Sequence, residues 1–373
     1  MIDLLDQSQV HQGNSPSDEP NVLPSDFVPQ FPEIIDSSML SSLKTCETLF
    51  EKTYIQHWKA REASVHLHAG GAFAKGLEVA RTAFWTGEYR WLRKFRVDEA
   101  TNPPKLEANE QIVGRKVLTA ELAELTVLST EQRDLFDAES SIACGLQALL
   151  TTYGDFDCPE DSAKSASRMA GAFEFYFSNY PLDQSADEPI VLPSGRRGIE
   201  FSFAEPCDVR HPVTGNPILV VGRMDMLFHA FNGVFIEDDK TTTQLGASWS
   251  KQWNLRGQFS GYAWACKRSG INVNGAIIRG VSILKTKYDT QQAISYRPEW
   301  QLNRWYDEAM IWLERGIAAW KAGRWLHNLD HACAEFGGCA FREVCLSENE
   351  KPWLETNFER RVWNPLLREE RKL

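Results

Sequence analysis

The chain has 373 residues, 43% hydrophobic and 24% charged, the proportions of a globular protein with one large or two moderate domains. Forty basic against 51 acidic residues leave a net charge of −11, which argues against a protein that coats nucleic acid through a basic surface, though a local basic groove is compatible with an acidic remainder. No apolar run approaches the roughly 20 residues that span a bilayer, the acidic start Met1-Ile2-Asp3-Leu4-Leu5-Asp6 is unlike a secretory signal, and eight cysteines do not make a disulfide scaffold in a chain this long, so a cytoplasmic protein without a membrane partner is expected.

Residues 1–36 are rich in Ser, Pro, Asp, Gln and Asn and predict a disordered leader. Ser37 to about Trp58 reads as a helix with Ser37 or Ser38 at its N-cap, and His68–Phe84 as a second helix loosened by Gly70, Gly71 and Gly76. A helical insert over about 105–180 follows, because Leu118–Leu128, Thr130–Tyr153 and Ser162–Asn179 space apolar residues by three and four. The pattern then changes to strands at 198–205, 217–228 and 232–239, the last two joined by a turn at Phe231-Asn232-Gly233. Leu255–Lys267 reads as a helix, Gly275–Leu284 and Gln292–Arg297 as strands, and Glu299–Ala322 as a long amphipathic helix. Its tryptophans and those at its exit (Trp300, Trp305, Trp312, Trp320 and Trp325) fit a core better than a base-stacking surface. Residues 323–373 are loop-rich, with a cysteine segment at 333–345 and a charged tail over 351–373.

The chemistry is concentrated on two adjacent strands. Asp225 ends Gly222-Arg223-Met224-Asp225, and Asp238 and Lys240 lie in Ile236-Glu237-Asp238-Asp239-Lys240. A hairpin brings the two carboxylates close, where they repel unless a divalent cation sits between them. Side chains on a strand repeat every two residues, so Lys240 shares the face of Asp238 while Glu237 and Asp239 face away, Asp239 keeping a backbone carbonyl to offer a metal. Acid, acid and lysine around one point is the chemistry of metal-assisted phosphodiester hydrolysis. Taken singly, Asp225 reads as a strand-end carboxylate paired with Arg223, and Lys240 as half of a surface pair worth less than about 1 kcal/mol. Downstream, Gln258 and Tyr262 are four apart and share one helix face.

Asp225, Asp238-x-Lys240 and Gln258-x-x-x-Tyr262, in that order within 38 residues, resemble the PD-(D/E)XK nuclease superfamily, and in particular its RecB-type branch of CRISPR-associated iron–sulfur exonucleases, helicase–nuclease subunits and phage nucleases. The resemblance implies an α/β restriction-endonuclease-like core, a mixed central sheet flanked by helices, with a helical insert and a C-terminal iron–sulfur segment. The domain would span 37–350 and its catalytic core about 196–322. Asp225 and Asp238, with Asp239, would hold Mg²⁺ or Mn²⁺, and Lys240, Gln258 and Tyr262 would complete the catalytic set. Cys46 with Cys333, Cys339 and Cys345 resembles the ligand set of a [4Fe-4S] cluster, Zn²⁺ being the alternative; the C-x5-C-x5-C spacing is wider at its first gap than in many relatives. Cys144, Cys158, Cys207 and Cys266 read as small buried hydrophobes. One element departs from the branch: where relatives carry G-x-x-x-H-x-x-x-E, this chain has Gly70, Ala74 and Glu78, so the histidine is missing and Glu78 is the nearest substitute ligand.

The implied activity is a metal-dependent deoxyribonuclease, an exonuclease on single-stranded DNA or DNA ends, in recombination, repair or phage DNA processing. A helicase or recombinase would be its partner, and the chain would be cytoplasmic, phage-encoded in a bacterial host. Arg196, Arg197, Arg279, Lys285, Lys287 and Arg297 are the candidates for a DNA groove. Two other readings compete: a degenerate nuclease fold kept as a DNA-binding or scaffold subunit, and a redox protein, which lacks any flavin or nicotinamide motif.

Overall fold

The computed structural model describes residues 27–61, 64–86, 95–98, 105–108, 138–154, 156–183, 188–329, 331–334 and 338–363. In chain order the elements begin with β1 (Ile34–Ile35), α1 (Ser37–Thr45), α2 (Glu47–Phe50, running on as a π-helical turn over Glu51–Ile55), β2 (Trp58–Ala60) and α3 (Val65–Thr86). The hairpin β3 (Phe95–Asp98) and β4 (Lys105–Ala108) follows, then α4 (Ala138–Tyr153) and α5 (Ala166–Asn179). Next come β5 (Ile199–Arg210), β6 (Pro217–Ala230), β7 (Gly233–Thr242), α6 (Ala247–Lys251), α7 (Gly257–Arg268), β8 (Val273–Ile283), β9 (Tyr288–Tyr296) and α8 (Glu299–Ala322). The C-terminal part adds α9 (His331–Ala334), α10 (Arg342–Leu346), α11 (Glu350–Asn357) and β10 (Phe358–Arg360).

The central sheet runs β1-β6-β7-β8-β9, with β5 on the other edge of β6. It is mixed: β5–β6, β6–β7 and β8–β9 are antiparallel, β1–β6 and β7–β8 parallel. The parallel step needs a crossover, which α6 and α7 supply. The β6–β7 turn puts Phe231 and Asn232 at φ 49° and 66°, the two left-handed central residues that a tight hairpin requires. One core packs residues of α1, α7 and α8 against the sheet, and a second packs α3, α4 and α5. Gly76 and Gly145 lie where α3 crosses α4; a Cβ on Gly145 would sit 2.5 Å from the Gly76 carbonyl, so a side chain there would force the helices apart. The result is an α/β fold with a mixed sheet flanked by helices on both sides.

One irregularity positions the site. β7 pairs with β6 only from Ala230↔Gly233 to Met226↔Glu237. Beyond that point β7 stays with β8, through Asp238↔Ile278 to Thr242↔Ser282. On the vacated edge of β6, pairing resumes only at Leu219 and Val220, with β1. The two strands therefore part at Asp225 and Asp238.

Several elements differ from the sequence reading. The expected helix from Ser37 to Trp58 is broken at Cys46, whose extended backbone (φ −163°, ψ 121°) ends α1 and opens α2. The break turns the Glu47 carboxylate to Arg315 and to the Leu326 amide (3.0 Å), bonds a straight helix would not make. The N-cap is Asp36, which accepts from the Met39 amide at 2.7 Å, rather than Ser37 or Ser38. The expected leader is structured in its last part, where Phe31 is buried and β1 joins the sheet; residues 1–26 lie outside the described residues. The insert expected to be helical contains the β3–β4 hairpin, while the helix expected at Leu118–Leu128 lies outside the described residues. β10 pairs with β2, so the segment read as a loop-rich end is stitched back to the N-terminal part as far as Arg360; residues 364–373 of the tail lie outside the described residues. Trp305, Trp312, Trp320 and Trp325 pack against the core, whereas Trp300 is exposed. Among the described residues no helix is long and apolar enough to cross a membrane.

Candidate active site

The parting of β6 and β7 leaves a gap with Asp225 on one side and Asp238 and Lys240 on the other. An Asp225 carboxylate oxygen accepts the Asp239 amide at 3.3 Å, which ties the strands across the gap without a ladder pair. Lys240 Nζ contacts Asp238 Oδ2 directly. From α7, Gln258 Nε2 donates to Asp238 Oδ1 and to the Tyr262 hydroxyl, both at 3.2 Å, and the Tyr262 hydroxyl donates to the Arg223 carbonyl at 2.7 Å. The five residues singled out for catalysis, Asp225, Asp238, Lys240, Gln258 and Tyr262, are thus one connected cluster.

The charges there are under-compensated. Burial pushes both carboxylates up, Asp238 to about 7, with Lys240 pulling the opposite way; the neighbouring charge of Asp225 also raises Asp238, and that of Asp239 raises Asp225. Burial works against the Lys240 ammonium too, but Asp238 and Asp225 outweigh it and hold its pKa above the ordinary lysine value. Asp238 Oδ2 has no hydrogen bond among the described residues beyond its ion pair with Lys240. A buried and a half-buried carboxylate sharing one ammonium fit a divalent cation, which would supply the missing charge. Among the described residues no group of three or more His, Cys, Asp or Glu side chains is disposed to hold a metal. The protein donors would then be few and water would complete the shell, an arrangement Mg²⁺ accepts.

The neighbours of Asp238 face the other way. Arg81 of α3 binds Glu237 and, at 2.7 Å, Asp239. The Tyr176 hydroxyl accepts from Arg81 and donates to Asp239, both at 2.8 Å, and Arg279 pairs with Glu237 at 3.0 Å. The Asp239 side chain is therefore consumed by this buried network, as expected of a residue facing away from Asp238.

A sequence model of the PD-(D/E)XK nuclease superfamily matches residues 37–346. The chain belongs to that superfamily. A search among curated proteins returned no match. Five chains of solved structures match. One, described as "Crystal structure of SSO0001", is 12% identical, with 44% of this chain and 64% of that chain covered and a TM-score of 0.24. The match thus spans less than two thirds of that chain's own length.

In this PD-(D/E)XK chain the helix that lacks the histidine still lies beside the site. Gly70 of α3 approaches the Thr241 hydroxyl, Glu78 reaches Arg223 at 3.4 Å, and Arg81 holds Asp239, so position 74 shares a helix face that runs along β7. Glu78, expected as the substitute ligand, is engaged by Lys75 at 2.8 Å and by Arg223. His68 is turned away, bonded to the Tyr153 carbonyl and stacked on Phe156. Sequence reasoning missed Glu200. It lies opposite Asp225 in the β5–β6 ladder, between Ile199↔Met226 and Phe201↔Met224, and pairs with Arg223 at 2.6 Å. Burial and the nearby Asp225 and Glu78 push its carboxyl up to about 8. No motif marks Glu200; only its place beside a strand-end acid hinted at it. Of the six cations suggested for a groove, two are buried and two are paired on the surface. Arg279 and Arg297 are buried, Arg297 among the carbonyls of Trp253, Arg256 and Tyr296, while Arg197 pairs with Glu188 and Lys285 with Asp161.

Cys46, Cys333, Cys339 and Cys345 line one cavity together with His327, Asn328 and Phe341. All four are partly exposed, whereas Cys144, Cys207 and Cys266 are buried and Cys158 is not. Burial and the neighbouring thiols raise Cys339; burial also raises Cys345, against the opposing charge of Lys52. Four sulfurs around one cavity suit a thiolate-held metal by donor type, although they do not stand as a ligating group in this structure. The docking of the two segments rests on bonds that need no metal: Thr48 N–H to Leu326 O at 3.2 Å, Asn328 to Thr45 O at 2.7 Å, and Lys52 to Glu350 at 2.6 Å.

Proposed function

We propose that this protein is a Mg²⁺- or Mn²⁺-dependent deoxyribonuclease that hydrolyses single-stranded DNA or DNA ends as an exonuclease. The observation that carries the reading is the strand gap holding the half-buried Asp225 and the buried Asp238, two carboxylates with one ammonium to share. Asp225 and Asp238, with the Asp239 carbonyl, would hold the cation. When bound, the cation lowers the pKa of a water and offsets charge on the phosphate. Lys240 donates to the attacking water or to the phosphate, and its ammonium stays protonated because its two acids hold it so. Gln258 fixes the Asp238 carboxylate through Oδ1, leaving Oδ2 toward Lys240, and Tyr262 fixes Gln258 against β6. The four-cysteine cavity would take a [4Fe-4S] cluster, with Zn²⁺ as the alternative, and its role would be structural because it joins the two ends of the domain.

A second reading is favoured by Ala74 and by the small number of metal-ligating side chains: a nuclease fold that binds DNA without cutting it. End-labelled single- and double-stranded DNA, incubated with anaerobically purified protein and Mg²⁺ or Mn²⁺ beside a Lys240→Ala control, separates the two. Metal-dependent cleavage that the control lacks supports the nuclease. DNA binding without cleavage by folded protein supports the scaffold. Iron and zinc content of the same preparation, with and without Cys339→Ser, reads the cysteine site.

A further inference from the structure

Arg223 stands two residues before Asp225, and its backbone carbonyl is the acceptor for Tyr262. Its guanidinium sits between two acids. Nε binds Glu200 Oε2 at 2.6 Å, Nη2 approaches Glu78 Oε1 at the longer 3.4 Å, and Nη1 has no partner among the described residues. The side chain keeps 22% of its exposure, so it is reachable, while Glu200 behind it keeps 14%. Glu200 is held at φ +46° within a strand, a left-handed conformation disfavoured by any residue with a Cβ. That twist accompanies the turn of its carboxylate onto Arg223.

A polyanion entering this gap meets Asp225, Asp238, Glu200 and Glu78 on a chain of net charge −11. Lys240 also pairs with Asp238 and offsets part of that charge. Arg223 can change partners at little loss: Glu78 retains Lys75 at 2.8 Å if Arg223 leaves it, and Glu200 retains Nε. The Nη1–Nη2 edge is then free to make two parallel bonds to a phosphate. We propose that Arg223 binds a backbone phosphate of the DNA strand held at the Asp225–Asp238 gap, and that Glu200 is the positioning residue that aims it. This rests on the nuclease reading for the position of the strand, not on turnover.

Binding is best measured in a Lys240→Ala background, by fluorescence anisotropy of a short fluorescein-labelled oligothymidylate across a salt series. Arg223→Gln is expected to weaken binding about 10-fold and to lower the slope of log K against log salt by about 0.7, the contribution of one phosphate contact on a single strand. Arg223→Lys should restore the slope but not the full affinity, since an ammonium lacks the planar fork. If Arg223→Gln folds poorly because two acids lose their partner, the Glu200→Gln/Arg223→Gln double variant removes one of them and should show the same loss of slope. Glu200→Gly suits the left-handed backbone, so it should keep the melting temperature while weakening binding and leaving the slope intact. An unchanged slope in folded Arg223→Gln or in the double variant overturns the phosphate contact, and wild-type affinity in Glu200→Gly overturns the aiming role. Cleavage by the wild type with an unchanged slope in the variants sinks this proposal alone, whereas wild-type protein that neither cleaves nor binds sinks the nuclease reading with it.

Discussion

Glu237, Asp238 and Asp239 are consecutive acids on one strand, yet they live in opposite electrostatic worlds. Glu237 and Asp239 face α3, α5 and the neighbouring strand β8, where Arg81, Tyr176 and Arg279 give them two guanidinium groups and a hydroxyl. Asp238 faces the gap, as deeply buried, with one ammonium to share with Asp225. The lesson is that burial does not separate structural from functional acids; completeness of pairing does. The closed network holds β7 by its back so that the open pair is presented at its front.

The comparison is broken most directly from the closed side. Arg81→Met leaves Glu237 and Asp239 buried without their guanidinium and should destabilise the fold by about 3–5 kcal/mol in urea unfolding. Asp238→Asn removes a charge the fold disfavours and should cost less than about 1 kcal/mol in the same assay; equal losses would erase the distinction. The functional side reverses the order. Asp238→Asn should lower metal-dependent cleavage at least ~10²-fold with the protein still folded, the scale of losing one fixed electrostatic contact in an active site.

Titration sharpens the contrast. A carboxyl whose folded pKa is raised, as for Asp238 from 3.8 to about 7, binds more protons folded than unfolded in that window. Stability of the metal-free protein should therefore fall as pH rises from about 4 through 7, by up to about 3 kcal/mol. Asp238→Asn should flatten that fall, and so should millimolar Mg²⁺; a urea midpoint that rises across the window in the metal-free wild type would contradict the assignment. The smallest effect concerns Lys164, buried with no partner for its ammonium among the described residues and pushed down to about 8 by that burial. Here the sign is opposite: stability should rise from pH 8 to 10.5, and Lys164→Met should raise stability at pH 7 by roughly 2 kcal/mol. A loss on that substitution would show that an incompletely paired charge need not be a liability here.

Much of the site was legible because its signals are local. Asp225, Asp238 and Lys240 lie on adjacent strands joined by a tight turn, and Gln258 and Tyr262 lie one helical turn apart, so spacing predicted that each set could meet, while the family resemblance joined the helix pair to the acids. The bounds of Glu299–Ala322 were legible for the same reason, through its amphipathic period and the Gly323 that ends it in the left-handed region (φ 60°). Arg81 and Glu200 were not legible, because Arg81 meets its acids across 156 and 158 residues of chain and Glu200 owes its place to a strand register. The break at Cys46 was hidden too: nothing in Leu43–Phe50 disfavours a helix, and the partners that reward the break, Arg315 and Leu326, are some 270 residues away.

The sequence by itself determined the family, the strand and helix types of the core, and the order of the acids, the lysine and the glutamine–tyrosine pair, since these depend on periodicity and near-neighbour spacing. Only the tertiary structure decided where β6 and β7 part. That choice depends on β8 holding β7 and on β1 taking the vacated edge of β6, contacts between segments far apart in the chain. The same long-range packing decided which of three consecutive acids is neutralised and which is left short of charge.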